Sequence, residues 1–220
     1  MMMPADPVTI WTYDWVPDMP RGFVRDIRLR WACEEAGIPY RIASVPFDGR
    51  ETNHLDRQPF GQVPMLDDGS IRLFESGAGL IHLGGKSEVL MPPGEKARAE
   101  VIQWVFAALN TLEMVTMPWV VLQWSKEDVP AITDWLENRL AQMETVLAAR
   151  EWLVGDGFTL ADLVMADVLR VDLVRKHGDR PASEAYVVRL TARPAFRKAH
   201  ADQLAHFEKS DRVRKENDND

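Results

Sequence analysis

The sequence predicts an α/β layer to about residue 85, followed by an all-helical part. Three observations predict it. The first 85 residues alternate short β-branched and aromatic runs with helix-periodic segments. Residues 86–94, KSEVLMPPG, are turn-rich and read as a linker. Beyond them lie long helix-periodic segments with no strand signal between them.

Val8 to Tyr13, VTIWTY, has the composition of a buried strand. Asp14 to Pro20 is a loop, because Pro17 and Pro20 both oppose regular structure. From Gly22 the apolar residues Phe23, Val24, Ile27, Trp31 and Ala32 recur at helical spacing, and Gly37 ends that helix. Tyr40 to Pro46 is a second strand, and His54 to Gln58 a short helix or turn. Pro64 to Asp67 and Ile71 to Phe74 form a hairpin around the turn signal Asp68-Gly69. Ser76 to Leu83 is a short helix stopped by Gly84-Gly85. Helical segments follow at Glu95–Leu122, Ala131–Ala149 and Phe158–Lys176. The expected organisation is a first domain at 1–85, a linker at 86–94, a helical domain at 95–208 and a polar, frayed tail at 209–220.

Bulk composition narrows the function. The chain has 220 residues, 46% hydrophobic and 27% charged, as an ordinary globular protein does. Its formal net charge of −8 disfavours nucleic acid as a partner, since like charge repels phosphate. No uninterrupted apolar run approaches the roughly 20 residues of a spanning helix, so no membrane is expected. The start lacks a basic segment followed by an apolar one, and so does not read as a secretory signal. The single cysteine, Cys33, permits no intramolecular disulfide and points to a reducing cytoplasmic setting. It lies inside the first helix and reads as a small core residue. The arginines of the Arg21–Arg30 run read as the solvated rim of that helix, with the first of them free to face an anionic ligand. No metal-ligand spacing stands out, and no metal is expected.

Two short segments carry the chemistry. In Gly61-Gln62-Val63-Pro64 a proline opens a strand and cannot donate to the ladder. A cis bond there turns the amide and carbonyl of Val63 toward an extended peptide, which pairs by strand addition. A trans proline at an ordinary strand start is the alternative. In Glu75-Ser76, Ser76 is a natural N-cap, and the helix N-terminus suits a carboxylate. Glu75 beside it offers an anion to an ammonium group. Together they match the α-amino acid end of a γ-glutamyl group; an ordinary capped helix with a surface glutamate is the alternative.

The run FGQVPMLDDGSIRLFESGAGLIHL resembles the glutathione-binding segment of the cytosolic glutathione S-transferases. It follows their pattern G-x-[VL]-P-x-[LF]-x-[DE]-G, a strand, then [EQ]-S, at Gly61, Val63, Pro64, Leu66, Asp68, Gly69, Glu75 and Ser76. RLRWACEEAGIPY, Arg28 to Tyr40, is similar to the family's first helix and second strand, and Thr159 with Asp162 to the capping box of its helical domain. The resemblance covers about residues 8–205. It implies a thioredoxin-like N-terminal domain with a mixed sheet, then an all-helical domain. It also implies glutathione as co-substrate, a small hydrophobic electrophile as second substrate, and a homodimer.

By resemblance, Val63 and Pro64 hold the cysteinyl backbone of glutathione, and Glu75 and Ser76 its γ-glutamyl end. The glycyl carboxylate falls to Gln62, His54 or Arg57, with Gln62 favoured by the motif, and Arg21 is a further anion contact. The thiol, with a free pKa near 8.5, needs a donor to become thiolate at neutral pH. The family places a serine, a tyrosine or, in redox classes, a cysteine near the end of the first strand or the start of the first helix. No serine or cysteine occurs from Trp11 to Arg30, and the slot usual for them falls at about Arg21-Gly22. Tyr13 is therefore the expected catalytic donor, with backbone amides near Arg21 as the rival and a plain core strand residue as the alternative for Tyr13 itself. The family's Y-x-x-x-R-G spacing is departed from, because the Asp14–Pro20 loop lengthens the interval by four residues. Trp15, Met114, Met117 and Trp119 are the expected lining of the electrophile pocket. A glutathione-dependent reductase or peroxidase, and a non-catalytic glutathione- or ligand-binding protein, are the alternative functions.

Overall fold

The computed structural model describes residues 6–217, which fall into two compact units. The first runs through Leu83 and resumes at Pro194; the second spans Gly84–Arg193.

In the first unit, β1 (Val8–Tyr13) leads to α1 (Asp26–Ala36), β2 (Tyr40–Val45), β3 (Met65–Asp68), β4 (Ile71–Phe74) and α2 (Ser76–Gly84). The sheet order is β2-β1-β3-β4. β1 and β2 are parallel, with Ile10 opposite Ile42; β3 runs antiparallel to β1, with Ile10 opposite Leu66, and β4 antiparallel to β3. Ile10, Leu66, Ile27, Leu29, Leu80 and Leu83 are buried between sheet and helices. Residues 46–62, where a short helix or turn was expected at 54–58, are turns.

α1 begins at Asp26, four residues later than its apolar spacing suggested. Gly22 takes φ +80, and the place of its missing Cβ lies 2.6 Å from His200 Nε2, so the chain turns here instead of winding. Every residue from Asp26 to Cys33 is buried. Arg28 and Arg30 are therefore not the solvated rim that the alternation of charge predicted. Arg28 is buried against Ser76 of α2, and Arg30 pairs with Asp26, which the long helix Pro194–Asn217 covers where it packs on α1.

That helix also changes the expected organisation. The contacts assign Pro194 onward to the first unit, whereas 95–208 had been expected in one helical domain. Nor does the polar tail fray: residues 209–217 continue the helix, while 218–220 lie outside the described residues. Asp211 and Arg214 give those turns partners of opposite charge on the first unit, which composition alone does not reveal.

The second unit is helical: α3 (Glu95–Ala107), a π-helical turn (Ala108–Glu113), α4 (Met114–Ser125), α5 (Pro130–Ala148), α6 (Leu160–Leu169), α7 (Asp172–Arg175) and α8 (Pro181–Thr191). The terminal helix described above is α9 (Pro194–Asn217). The continuous helix Glu95–Ser125 is long and apolar enough by length and composition to cross a bilayer, but much of its apolar window is buried within the unit. All of α6 is buried, and its N-terminus is closed by a capping box. Asp162 Oδ2 accepts from the Thr159 amide at 3.0 Å; Oδ1 accepts from the Leu153 amide at 3.0 Å and the Tyr186 hydroxyl at 2.9 Å.

Burial raises the Asp162 carboxyl above its ordinary value, although the Leu153 and Thr159 amides and the hydroxyls of Tyr186 and Thr159 pull it down. The folded state then binds the proton more tightly than the unfolded chain. This group's contribution to stability is therefore greatest below the ordinary carboxylate value and falls as pH rises through the raised one. Asp162→Asn is expected to remove that part of the slope and to cost about 1–3 kcal/mol at neutral pH, because the amide nitrogen then faces a donor that a carboxylate oxygen had accepted from. Urea unfolding at a series of pH values checks both effects.

Candidate functional site

The candidate site is built on the first unit, between the turn that enters β3 and the helix that follows β4. The Val63-Pro64 bond is cis, and the ladder to β1 begins only at Met65, so Val63 stands just outside the paired strand. Its turn is fixed from three sides. The Gln58 side chain is buried, and its Oε1 accepts from the amides of Phe60 and Gln62 at 2.5 and 3.2 Å. Gly61 has φ +63, and a Cβ there would lie 2.4 Å from the Arg50 carbonyl oxygen, so only glycine fits. The Gly61 carbonyl accepts from the Tyr13 hydroxyl at 2.7 Å.

At the other end of the site, Glu75 is the residue before α2 and its carbonyl accepts from the Gly79 amide. Ser76 is thus the first helical residue, not the N-cap that sequence suggested. Glu75 takes φ +73, the left-handed region that favours glycine, while its side chain is exposed. Such strain concentrates at ligand clamps. Ser76 is buried, and its Oγ accepts from Arg28 Nη1 at 3.2 Å. Arg28, 2% exposed, places a fixed positive charge under the start of α2, where the first amides and the helix dipole already favour an anion. Sequence reading missed Gln58 and Arg28 as site residues. The signal for Arg28 was present as an arginine among apolar helix positions, but it was counted with the helix rim.

The remaining expected residues divide. Tyr13 is buried, and its only proton goes to Gly61 instead of pointing at a thiol; burial also pushes its hydroxyl above the ordinary value, so it stays protonated. Arg21 does not face the site as an anion contact. It forks onto Asp211, with Nη1 at 2.6 Å and Nη2 at 2.7 Å, and its Nε and Nη2 also donate to the Val16 carbonyl. The Arg21 amide, the rival thiol donor, is bonded to the Asp18 carbonyl. Arg57 pairs with Asp67 at 2.6 Å and lies 4.2 Å over the Trp11 ring, which removes it from the glycyl candidates.

His54 has φ +41 and packs 6.3 Å from the Tyr13 ring, with both ring nitrogens hidden from solvent and without a hydrogen-bond partner among the described residues. The Gln62 side chain is exposed. Trp15 donates to Asp211 at 2.7 Å and meets the Phe47 ring at 5.7 Å. Met114, Met117 and Trp119 all lie on α4 in the second unit. Met114 is half exposed, whereas Trp119 is 5% exposed and donates to Thr133 on α5. Trp119 is thus a core residue of that unit and does not line a pocket. No cluster of metal-ligating side chains occurs among the described residues.

A thioredoxin-like four-stranded layer, carrying a cis-proline turn opposite a helix N-terminus and followed in the chain by an all-helical unit, defines the glutathione-transferase fold. Residues 19–85 match the family description "Glutathione S-transferase, N-terminal domain", and residues 123–194 match "Glutathione S-transferase, C-terminal domain". Glutathione S-transferase 4 from Zea mays is 31% identical over 198 residues, spanning 82% of this chain and 86% of the relative. Elongation factor 1-gamma from Danio rerio is 31% identical over 170 residues, which are 71% of this chain but 36% of that protein. Poplar glutathione transferase F1 has the same fold, with a TM-score of 0.74 at 24% identity, covering 90% of this chain and 99% of that one. Ure2p in complex with glutathione superposes with a TM-score of 0.76 at 20% identity, covering 90% of this chain and all of that one. The chain belongs to the glutathione S-transferase family.

Proposed function

We propose that the protein is a glutathione transferase that binds glutathione across the Val63 turn and the start of α2, and presents its thiol to a hydrophobic electrophile. The observation that carries this reading is Glu75, an exposed carboxylate held at φ +73 beside the amides of α2, with the Arg28 charge beneath. One anion and one cation site, side by side, suit the ammonium and carboxylate of a γ-glutamyl group. Val63, outside the ladder, pairs with the cysteinyl backbone. The exposed Gln62 side chain serves the glycyl carboxylate; the His54 ring, its nitrogens closed to solvent, joins it only by turning outward. Trp15, in the loop after β1, is the apolar residue of the first unit proposed to meet the electrophile. The glutathione-bound relative Ure2p supports the ligand, and the Zea mays transferase the reaction class. Exposed Phe60, Ile71 and Phe74 on the first unit support a homodimer, which light scattering tests. The lone, buried Cys33 supports a reducing cytosolic setting.

In this reading Tyr13 acts through the Gly61 carbonyl and is a positioning residue. Tyr13→Phe is expected to raise the KM for glutathione about 3–10-fold, by loosening the turn that presents Val63, and to leave kcat within about threefold. A fall in kcat of about 100-fold at constant KM would return the hydroxyl to the thiol. The occupied Tyr13 hydroxyl and the absence of serine and cysteine from Trp11 to Arg30 favour one second reading, a glutathione-binding protein without transferase activity. Similarity to elongation factor 1-gamma agrees with it. Retention on immobilised glutathione together with aryl-halide conjugation supports the transferase; retention without turnover of any aryl halide, disulfide or hydroperoxide supports the binder. No retention overturns both.

A further inference from the structure

We propose that Asp211 and Arg214, on the last turns of α9, are positioning residues that clamp the two loops flanking the glutathione site. The catalytic consequence rests on the transferase reading; the clamp itself does not. The β1–α1 loop carries two prolines, whose nitrogens cannot donate, so ordering it costs conformational entropy that other contacts must offset. Those contacts come from α9. The Asp211 carboxylate accepts from Trp15 Nε1 and from both terminal nitrogens of Arg21, all at 2.6–2.7 Å. Arg21 in turn holds the Val16 carbonyl through Nε and Nη2, so one carboxylate fixes the loop at residues 15, 16 and 21. One turn back, the His206 ring nitrogen lies 2.9 Å from the Tyr13 carbonyl oxygen.

Arg214 reaches both loops. Its guanidinium lies 4.2 Å over the Trp15 ring and pairs with Asp48 in the loop after β2. The two loops also hold each other: the Phe47 amide donates to Asp14 at 2.9 Å. From Trp15 the contacts run through the Phe47 ring to the Tyr13 ring, 5.3 Å away, and from its hydroxyl to Gly61. Exposure ranks the two residues. The Arg21 and Asp211 side chains are 11% and 29% exposed, whereas Arg214 and Asp48 are 37% and 72% exposed. The first pair is partly desolvated, bidentate and shared with an indole, so Asp211 dominates; the second is an ordinary surface pair aided by ring stacking.

The test uses the full chain with Asp211→Ala, Asp211→Glu and Arg214→Ala. In Asp211→Ala, amide hydrogen exchange across Asp14–Arg21 is expected to quicken about tenfold or more. Its kcat for aryl-halide conjugation is expected to fall about tenfold, with the KM for glutathione within about twofold. Asp211→Glu recovers most of both. Arg214→Ala quickens exchange in the loop after β2 and raises the KM for glutathione about two- to fivefold, with kcat kept. Unchanged exchange in both loops overturns the clamp, as does a loss of activity that merely follows a lowered melting temperature. If the wild-type chain conjugates nothing, the transferase reading fails, and the exchange measurements still decide the clamp.

Discussion

Replacing Glu75 with glycine is expected to leave the fold as stable as before while glutathione binding collapses. Glu75 takes φ +73, where a residue with a Cβ is disfavoured by roughly 1–2 kcal/mol. Glycine relieves that strain, and its greater freedom in the unfolded chain returns about 0.5–1 kcal/mol of it. Stability should therefore stay within about 1 kcal/mol of wild type, on the favourable side. Affinity moves the other way. In the proposed complex the lost carboxylate accepts a charge-assisted hydrogen bond from the ligand ammonium, worth about 1.5–3 kcal/mol, or roughly 10–150-fold in Kd. Glu75→Gln keeps the backbone strain and an acceptor for the ammonium, as the [EQ]-S pattern allows, and is expected to lose less affinity than Glu75→Gly, with no gain in stability. Urea unfolding and glutathione titration of both variants check the pair of effects. A Glu75→Gly chain that binds normally would mean that the strained residue serves the fold, not a ligand.

The largest loss of stability is expected from Asp26→Ala. Asp26 is fully buried, Arg30 is 2% exposed, and the two are joined at 2.6 Å within the first turns of α1. Gln203 of α9 is also fully buried and donates to Asp26 at 2.5 Å and to the Val24 carbonyl at 2.9 Å. Removing the carboxylate leaves a guanidinium in the core without that counter-charge, which costs about 3–5 kcal/mol. Arg30→Ala is expected to cost a comparable amount, and the double variant much less than the sum, because neither orphaned charge then remains. Thermal or urea unfolding of the three chains measures the coupling. Additive losses would show that the pair is not one unit.

The same triad explains where sequence reading stopped. The strands were legible because β-branched runs, an Asp-Gly turn and a strand-opening proline are local signals, and they recur in the structure as β1, β2 and the β3–β4 hairpin. The glutathione segment was legible because its residues are contiguous in the chain. Arg30 was not, because the Asp26 it pairs with is covered by α9, which begins more than 160 residues later, and Arg28 was not, because its partner Ser76 lies 48 residues away. Asp211 and Arg214 were hidden for the same reason: a polar segment looks frayed until its partners are known. Tyr13 was placed in the right neighbourhood, but the direction of its hydroxyl depends on where the Gly61 carbonyl lies, 48 residues away. Spacing within one segment carried the site's outline; contacts between distant segments decided which side chains are free to act.

Whether Glu75 and the start of α2 hold the γ-glutamyl end of glutathione is decided by titration calorimetry with glutathione and with cysteinylglycine, the same thiol peptide without the γ-glutamyl group. Glutathione is expected to bind, and cysteinylglycine at least about 30-fold more weakly, because the charge-assisted bonds at Glu75 and Ser76 are lost together. Equal affinity for the two peptides would contradict that placement.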